Sequence, residues 1–236
     1  EWIDVDFFVR TWPHKRVTAV LFKDTVGCLA ENAISMNHAR IPFLMTFGDG
    51  FEWAERDVSV YEQQMDLLLP EYMDNPKEAR ECGLFSLSLV NFFPGNLLGQ
   101  TPFCGVVDNI VDYDVDGESY ICHIFAPLTL GPEKAKQAKA ICRDLKMVPW
   151  DPECDRCPLR NTCKPCFGFH FKLFGDVNRW SSRSTICRLQ KAKAKACAVF
   201  HLKWVEKEMF AGRSVSGDDL MAAEKAVRYL EWVSEK

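Results

Sequence analysis

The sequence predicts an α/β chain in three parts: an incomplete α/β sheet or barrel over residues 1–98, a small cysteine-rich α+β domain over 99–187, and helices over 188–236. Three observations predict it. Apolar, β-branched runs alternate with helical patterns through the first ninety-odd residues, which is the signature of parallel βαβ pairing. Most of the eleven cysteines fall after residue 100. An Ala/Lys-rich stretch and an amphipathic run then close the chain. The 236 residues are 47% hydrophobic and 26% charged, which excludes a disordered chain. No apolar run reaches the ~18 residues a spanning helix needs. A formal net charge of −4 argues against a nucleic-acid partner. Neither nucleic acid nor membrane is therefore an expected partner. The acidic start Glu1-Trp2-Ile3-Asp4-Val5-Asp6 has no basic n-region, so a reducing, cytoplasmic location is expected.

The first strand is expected at Arg16–Phe22 (RVTAVLF), a β-branched run. Asp24-Thr25 can start a helix through about residue 37, with Val26, Leu29, Ala30 and Ala33 on its apolar face. Ile41–Phe47 (IPFLMTF) reads as a second strand, with Pro42 tolerable near its start. Gly48-Asp49-Gly50 breaks that run. A helical pattern returns from Val58 to about Met73, and Asp74-Asn75-Pro76 stops it. Ser86–Phe93 (SLSLVNFF) reads as a third strand. The series is expected to be part of an α/β barrel or open sheet whose beginning is absent. Residues 94–102 read as a linker. Residues 188–211 form a helix whose basic stretch, Lys191 to Lys195, is a solvated face. A last helix takes Ser216 or Asp218 as its cap and Leu220, Ala223, Val227 and Leu230 as its stripe.

Cysteine spacing carries the chemistry. Cys154, Cys157, Cys163 and Cys166 form C-x2-C-x5-C-x2-C. A C-x2-C knuckle turns tightly enough to aim two sulfurs at one centre, and thiolates suit zinc or iron–sulfur clusters. Four thiols close one tetrahedral zinc site, yet zinc leaves the upstream pair unexplained. That pair is Cys104, twelve residues, Gly117, four residues, Cys122. Asp116-Gly117 is a turn dipeptide between the runs 110–113 and 120–125, so the intervening chain reads as a hairpin. Cys187 stands before a helix. Cys28, Cys142 and Cys197 lie on helical faces and read as buried thiols.

The order C-x12-G-x4-C, C-x2-C-x5-C-x2-C, C resembles the seven-cysteine SPASM domain of radical S-adenosylmethionine (SAM) enzymes. The match covers residues 104–187. It departs at one point: two residues, where the family has three, separate Cys163 from Cys166. The resemblance implies that residues 1–98 are the C-terminal part of a partial (β/α) radical SAM barrel. The family's C-x3-C-x2-C motif, which binds the SAM-cleaving cluster, does not occur in this sequence. The chain is thus expected to be a C-terminal portion, inactive alone.

The resemblance further implies two auxiliary [4Fe–4S] clusters. One takes Cys104, Cys122 and Cys166, with Cys82 as a candidate fourth ligand. The other takes Cys154, Cys157, Cys163 and Cys187. The complete enzyme would add SAM and a third [4Fe–4S] cluster. It would act on a peptide or protein substrate and draw electrons from a donor such as flavodoxin or ferredoxin. His123 stands where the sulfatase-maturing branch has an Asp that serves as base, so His123 is a candidate proton acceptor in substrate oxidation. His170, in the aromatic patch 167–171, is expected to help shield the clusters. Two other classes account for part of the pattern: a structural zinc-binding interaction module, and an iron–sulfur electron carrier without its own catalysis.

Overall fold

The computed structural model describes residues 4–13, 15–48, 52–93, 110–142, 152–163, 166–175 and 184–235. In chain order the helices and strands are α1 (Val5–Thr11), β1 (Val17–Leu21), α2 (Leu29–His38), β2 (Phe43–Phe47), α3 (Glu55–Asp74), α4 (Pro76–Glu81), β3 (Asp112–Tyr113), β4 (Ser119–Tyr120), α5 (Pro127–Leu130), α6 (Pro132–Cys142), α7 (Phe167–Phe174), α8 (Thr185–Phe210) and α9 (Gly217–Ser234). The chain divides into two compact units. The first comprises Glu1–Gly48, Trp53–Phe93 and Thr185–Lys236; the second comprises Asp49–Glu52 and Pro94–Ser184. The terminal helices α8 and α9 thus fold with the α/β segment. Cysteine spacing and local periodicity do not display that grouping, because it depends on contacts far apart in sequence.

In the first unit, β1 and β2 pair in parallel from Val17↔Phe43 to Leu21↔Phe47. The connecting helix buries Val26, Leu29, Ala30 and Ala33, the face its periodicity marks. Helix α3 starts three residues before the expected Val58. The backbone N–H of Ala54 donates to Asp57 Oδ2 at 2.7 Å and fixes that start. Its inward stripe is Tyr61, Met65, Leu68 and Tyr72. Phe47 of β2 meets Tyr61 edge-on at 5.0 Å between ring centroids, which seats α3 on the sheet. Gln64 Oε1 accepts the Ala30 N–H at 2.9 Å, and Asn37 donates to the Tyr72 hydroxyl at 2.9 Å. Both bonds lock α2 to α3.

Residues 86–93 do not form the expected third strand; Leu89–Asn91 is a 3₁₀ turn. The chain instead returns beside β2 earlier, where the Met45 N–H donates to the Cys82 carbonyl at 3.0 Å. Gly83 follows at φ +77°, and a Cβ there would lie 2.3 Å from Leu44 Cδ1. That left-handed residue turns the chain away after one sheet-like bond, so no ladder forms. Asp49 and Gly50, and the proposed linker 94–102, lie outside the described residues.

Helix α8 packs along α3 with the two running parallel. Three ion pairs set the register: Glu55 with Arg188, Glu62 with Lys195 at 3.1 Å, and Asp74 with Lys207 at 3.2 Å. All share a sequence separation of 133 residues. Lys195 is thereby engaged, and the Lys191 ammonium sits 5.4 Å from the Trp232 ring centre. The basic stretch is therefore only partly a solvated face. Ser216 caps α9 by accepting the Asp219 N–H at 3.1 Å, as its position predicts. The buried stripe of α9 is Ala222, Ala226 and Tyr229, whereas Leu220 and Val227 are exposed. The reason is Tyr229. Its ring packs on Phe92 at 5.1 Å and its hydroxyl donates to the Lys191 carbonyl at 3.0 Å, which turns the alanines toward α8.

Cys82 and Cys197 are buried in this unit, and Cys28 is exposed, contrary to its expected burial. Cys28 closes a 3₁₀ turn one residue before α2, outside that helix's apolar face. Burial pushes the Cys197 thiol up to about 11, leaving roughly one molecule in ten thousand as thiolate at neutral pH. An alkylating reagent at neutral pH is expected to modify Cys28 and to spare Cys82 and Cys197 until denaturant is added. Mapping of the labelled peptides by mass checks this; labelling of Cys197 at the rate of Cys28 would contradict the packing of α8.

Candidate metal centre

The second unit begins, among the described residues, with the hairpin that Asp116-Gly117 predicts. Asp112 pairs with Tyr120 and Tyr113 with Ser119. The Gly117 N–H donates to the Asp114 carbonyl at 2.9 Å, and Gly117 itself sits at φ +78°. The glycine of the C-x12-G-x4-C spacing is thus the residue that turns the hairpin. Strand β4 is shorter than the run 120–125. The ladder ends at Tyr120, and Cys122 then caps a 3₁₀ turn, His123–Phe125. The Ile124 N–H donates to Cys122 Sγ at 3.5 Å.

This turn brings three donor groups together. His123 Nδ1 lies 3.8 Å from Cys122 Sγ and 3.8 Å from Asp112 Oδ2. The carboxylate oxygen, sulfur and ring nitrogen all lie within 4.8 Å of one another. The His123 side chain is 74% exposed and that of Asp112 38% exposed, so the group opens to solvent. His123, the expected proton acceptor, is therefore an accessible imidazole beside a carboxylate. Asp112 is a site residue that cysteine spacing does not reveal. The hairpin register does: continuing the ladder sets Cys122 opposite Ile110, and Asp112 is the next residue on the same face.

A close approach docks the hairpin turn against α7. A Cβ on Gly168 would lie 2.5 Å from both Cβ and Cγ2 of Ile124. Gly168 therefore lets α7 pack directly on the 123–125 turn. Around it Phe125, Leu130, Ala135, Ala138, Phe167 and Phe171 form the core, with Tyr120, Ile121 and Cys122 packed against them. Cys166 caps α7, so Cys122 and Cys166 start two turns that touch through Gly168 and Ile124. His170 is buried in the same helix, as expected for its patch.

From Cys154 to Cys163 the C-x2-C-x5-C-x2-C segment is a chain of tight turns. The Cys157 N–H donates to the Cys154 carbonyl at 3.1 Å, and the Arg160 N–H donates to that of Cys157 at 3.1 Å. The Cys163 N–H then donates to the Leu159 carbonyl at 2.7 Å. Leu159 is buried and anchors the segment, while Cys154, Cys157, Cys163 and Cys166 are each half-buried. Cys187 lies in the first turn of α8, in the first unit. Cys104 lies outside the described residues, as does the Cys142 side chain. Cys82 is buried beside the Ala79 carbonyl, 3.4 Å from its sulfur, and burial raises its thiol pKa. That environment suits a core thiol better than a charged ligand. No disulfide joins Cys28, Cys82, Cys122, Cys154, Cys157, Cys163, Cys166, Cys187 or Cys197.

Comparison of the chain with family models, with curated proteins and with solved structures gave no match. No helix of the described residues is long and apolar enough to cross a membrane.

Gly168→Ala sets two effects against each other. Alanine favours a helix over glycine by about 1 kcal/mol. The new methyl meets Ile124 at its branched Cβ, which cannot rotate away, and overpacking of that kind costs about 1–3 kcal/mol. The substitution is expected to destabilise the second unit and to raise amide exchange at Ile124 and Phe125. Unchanged or slower exchange there would show that propensity wins.

Proposed function

We propose that the chain is the auxiliary-cluster half of a radical SAM enzyme that modifies a peptide or protein, with the seven cysteines of the C-x12-G-x4-C, C-x2-C-x5-C-x2-C, C order holding two [4Fe–4S] clusters. One observation carries the reading. Cys122, Cys154, Cys157, Cys163 and Cys166 sit at tight turns or helix starts and in no disulfide, Cys187 lies in the first turn of α8, and Gly117 takes the left-handed position the hairpin needs. Cluster ligation asks for that arrangement: thiolates on short turns, held by backbone N–H groups.

The residues fit such a group chemically. Cys122 already accepts a backbone N–H, and Cys166 starts the turn packed against it. Phe167 and Phe171 belong to the core that Cys122 packs against, and burial together with hydrogen bonds to sulfur sets a cluster's potential. A bound cluster supplies one-electron redox chemistry or an iron site for substrate; the chain's own residues position it and control its access to solvent. The parallel β1–β2 pair and its helices support the assignment of the first unit to the latter part of an α/β barrel.

Metal content after anaerobic purification and reconstitution tests the proposal. About eight irons and eight sulfides per chain are expected for two [4Fe–4S] clusters. About four of each would mean that one cysteine set fails to assemble. Roughly one zinc with no sulfide would overturn the reading and leave a zinc-stabilised interaction module.

A further inference from the structure

Asp112 and His123 are not explained by cluster ligation, and their placement beside Cys122 is specific. The three donors come from β3 and from the start of the turn that follows β4, so the hairpin brings them to one end. They differ in chemistry: one carboxylate oxygen, one sulfur, one imidazole nitrogen. We propose that Asp112, Cys122 and His123 form an open, three-ligand site for a single divalent cation of the zinc class, with solvent in the fourth position. The site goes beyond the cluster reading and competes with it for Cys122.

Distance decides between one ion and several. A tetrahedral zinc ion with Zn–S of about 2.3 Å and Zn–N or Zn–O of about 2.0–2.1 Å sets sulfur and nitrogen about 3.6 Å apart, and nitrogen and oxygen about 3.4 Å apart. The corresponding separations here are 3.8 Å and 3.8 Å. Closing these two takes a few tenths of an ångström, and the oxygen–sulfur pair, within 4.8 Å, closes to about 3.6 Å by a larger movement of the Asp112 carboxylate. Ligands to different irons of a cubane stand farther apart, because an iron–iron edge separates them. The donor set suits zinc, which accepts sulfur, nitrogen and oxygen together. The Ile124 N–H to Cys122 Sγ and the Thr129 hydroxyl to the His123 carbonyl, at 3.2 Å, hold the turn that presents two of the ligands. The exposure of His123 leaves the outer side of the site open, the pattern of zinc sites that keep an exchangeable position.

The test uses the full chain, stripped of metal under anaerobic conditions and titrated with ¹¹³Cd²⁺. Cadmium resonances separate by the number of sulfurs bound, so a one-sulfur site is distinguished from the all-thiolate C-x2-C-x5-C-x2-C segment. A resonance of the one-sulfur, nitrogen–oxygen class is expected. It should be lost in Cys122→Ser and weakened at least about tenfold in affinity by Asp112→Ala or His123→Ala, since removal of even an outer-shell partner costs 10–100-fold. The two exposed residues can be replaced without touching the core, so folding does not confound those variants. Absence of a one-sulfur resonance, or its survival unchanged in all three variants, would overturn the proposal. Iron–sulfide loading separates the two readings. Loss of the resonance as iron enters supports a shared Cys122. Its persistence at full loading supports the cation site and removes Cys122 from the cluster ligands.

Discussion

The contact between Gly168 and Ile124 is the one on which the described part of the second unit depends. Its core cluster contains Phe125, Leu130, Phe167 and Phe171, with two alanines completing it. So few large side chains bury a useful area only if the elements bearing them come very close. Gly168 permits that approach, and the 123–125 turn then lies directly on α7. The consequence is chemical as well as structural. The residues that cap these two elements are Cys122 and Cys166, so the packing that forms the core also brings two cysteine-headed turns into register. Small domains with limited cores are commonly completed by metals or disulfides. The described cysteines form no disulfide.

The first unit meets a different constraint. Parallel strands normally carry helices on both faces. Here Phe43, Met45 and Phe47 point to the side that α3 covers, while Val20 and Leu44 remain exposed on the other. That half-covered state is how an α/β sheet stands when helices occupy one face alone. The parallel register of α3 and α8 follows from the same layering. The ion pairs along it are solvent-accessible and contribute little individually. They report the register more than they create it; Tyr61, Met65 and Leu68 on α3 and the small residues of α8 supply the buried contact.

Local pattern made much of this legible. The strands β1 and β2, the apolar face of α2, the Asn75-Pro76 stop after α3, the Gly117 turn and the Ser216 cap all depend on residues within a few positions of one another. The failures are those where a distant partner decides. Residues 86–93 read as a strand from their β propensity, but Gly83 ends the approach to β2 after one bond. The stripe of α9 read as Leu220, Ala223, Val227 and Leu230, but Tyr229 gains more from Phe92 and the Lys191 carbonyl. Cys28 read as buried because its position falls on a helical face, yet it lies in the 3₁₀ turn before α2 begins and is exposed. In the candidate site, the cysteine order and His123 are visible in spacing. Asp112 becomes visible only when the hairpin register is written out to Cys122.

Cys122 is the residue at which two ligation schemes meet, and their geometries exclude each other at any one moment. In the proposed cation site, where a carboxylate oxygen of Asp112 and a ring nitrogen of His123 lie within 4.8 Å of its sulfur, Cys122 serves a single ion. For Cys122 to serve a cubane with cysteines elsewhere in the unit, the imidazole must swing aside. His123 can do so because its side chain stands largely in solvent and sits in no packed layer. Asp112 is likewise anchored by backbone pairing rather than by its carboxylate. The hairpin therefore fixes the sulfur firmly, through its turn, its cap and the Gly168 contact, and holds the other two donors loosely. On the proposed scheme, a fixed sulfur with two solvent-facing neighbours takes either a lone cation or a cluster, because only the outer side chains need to move.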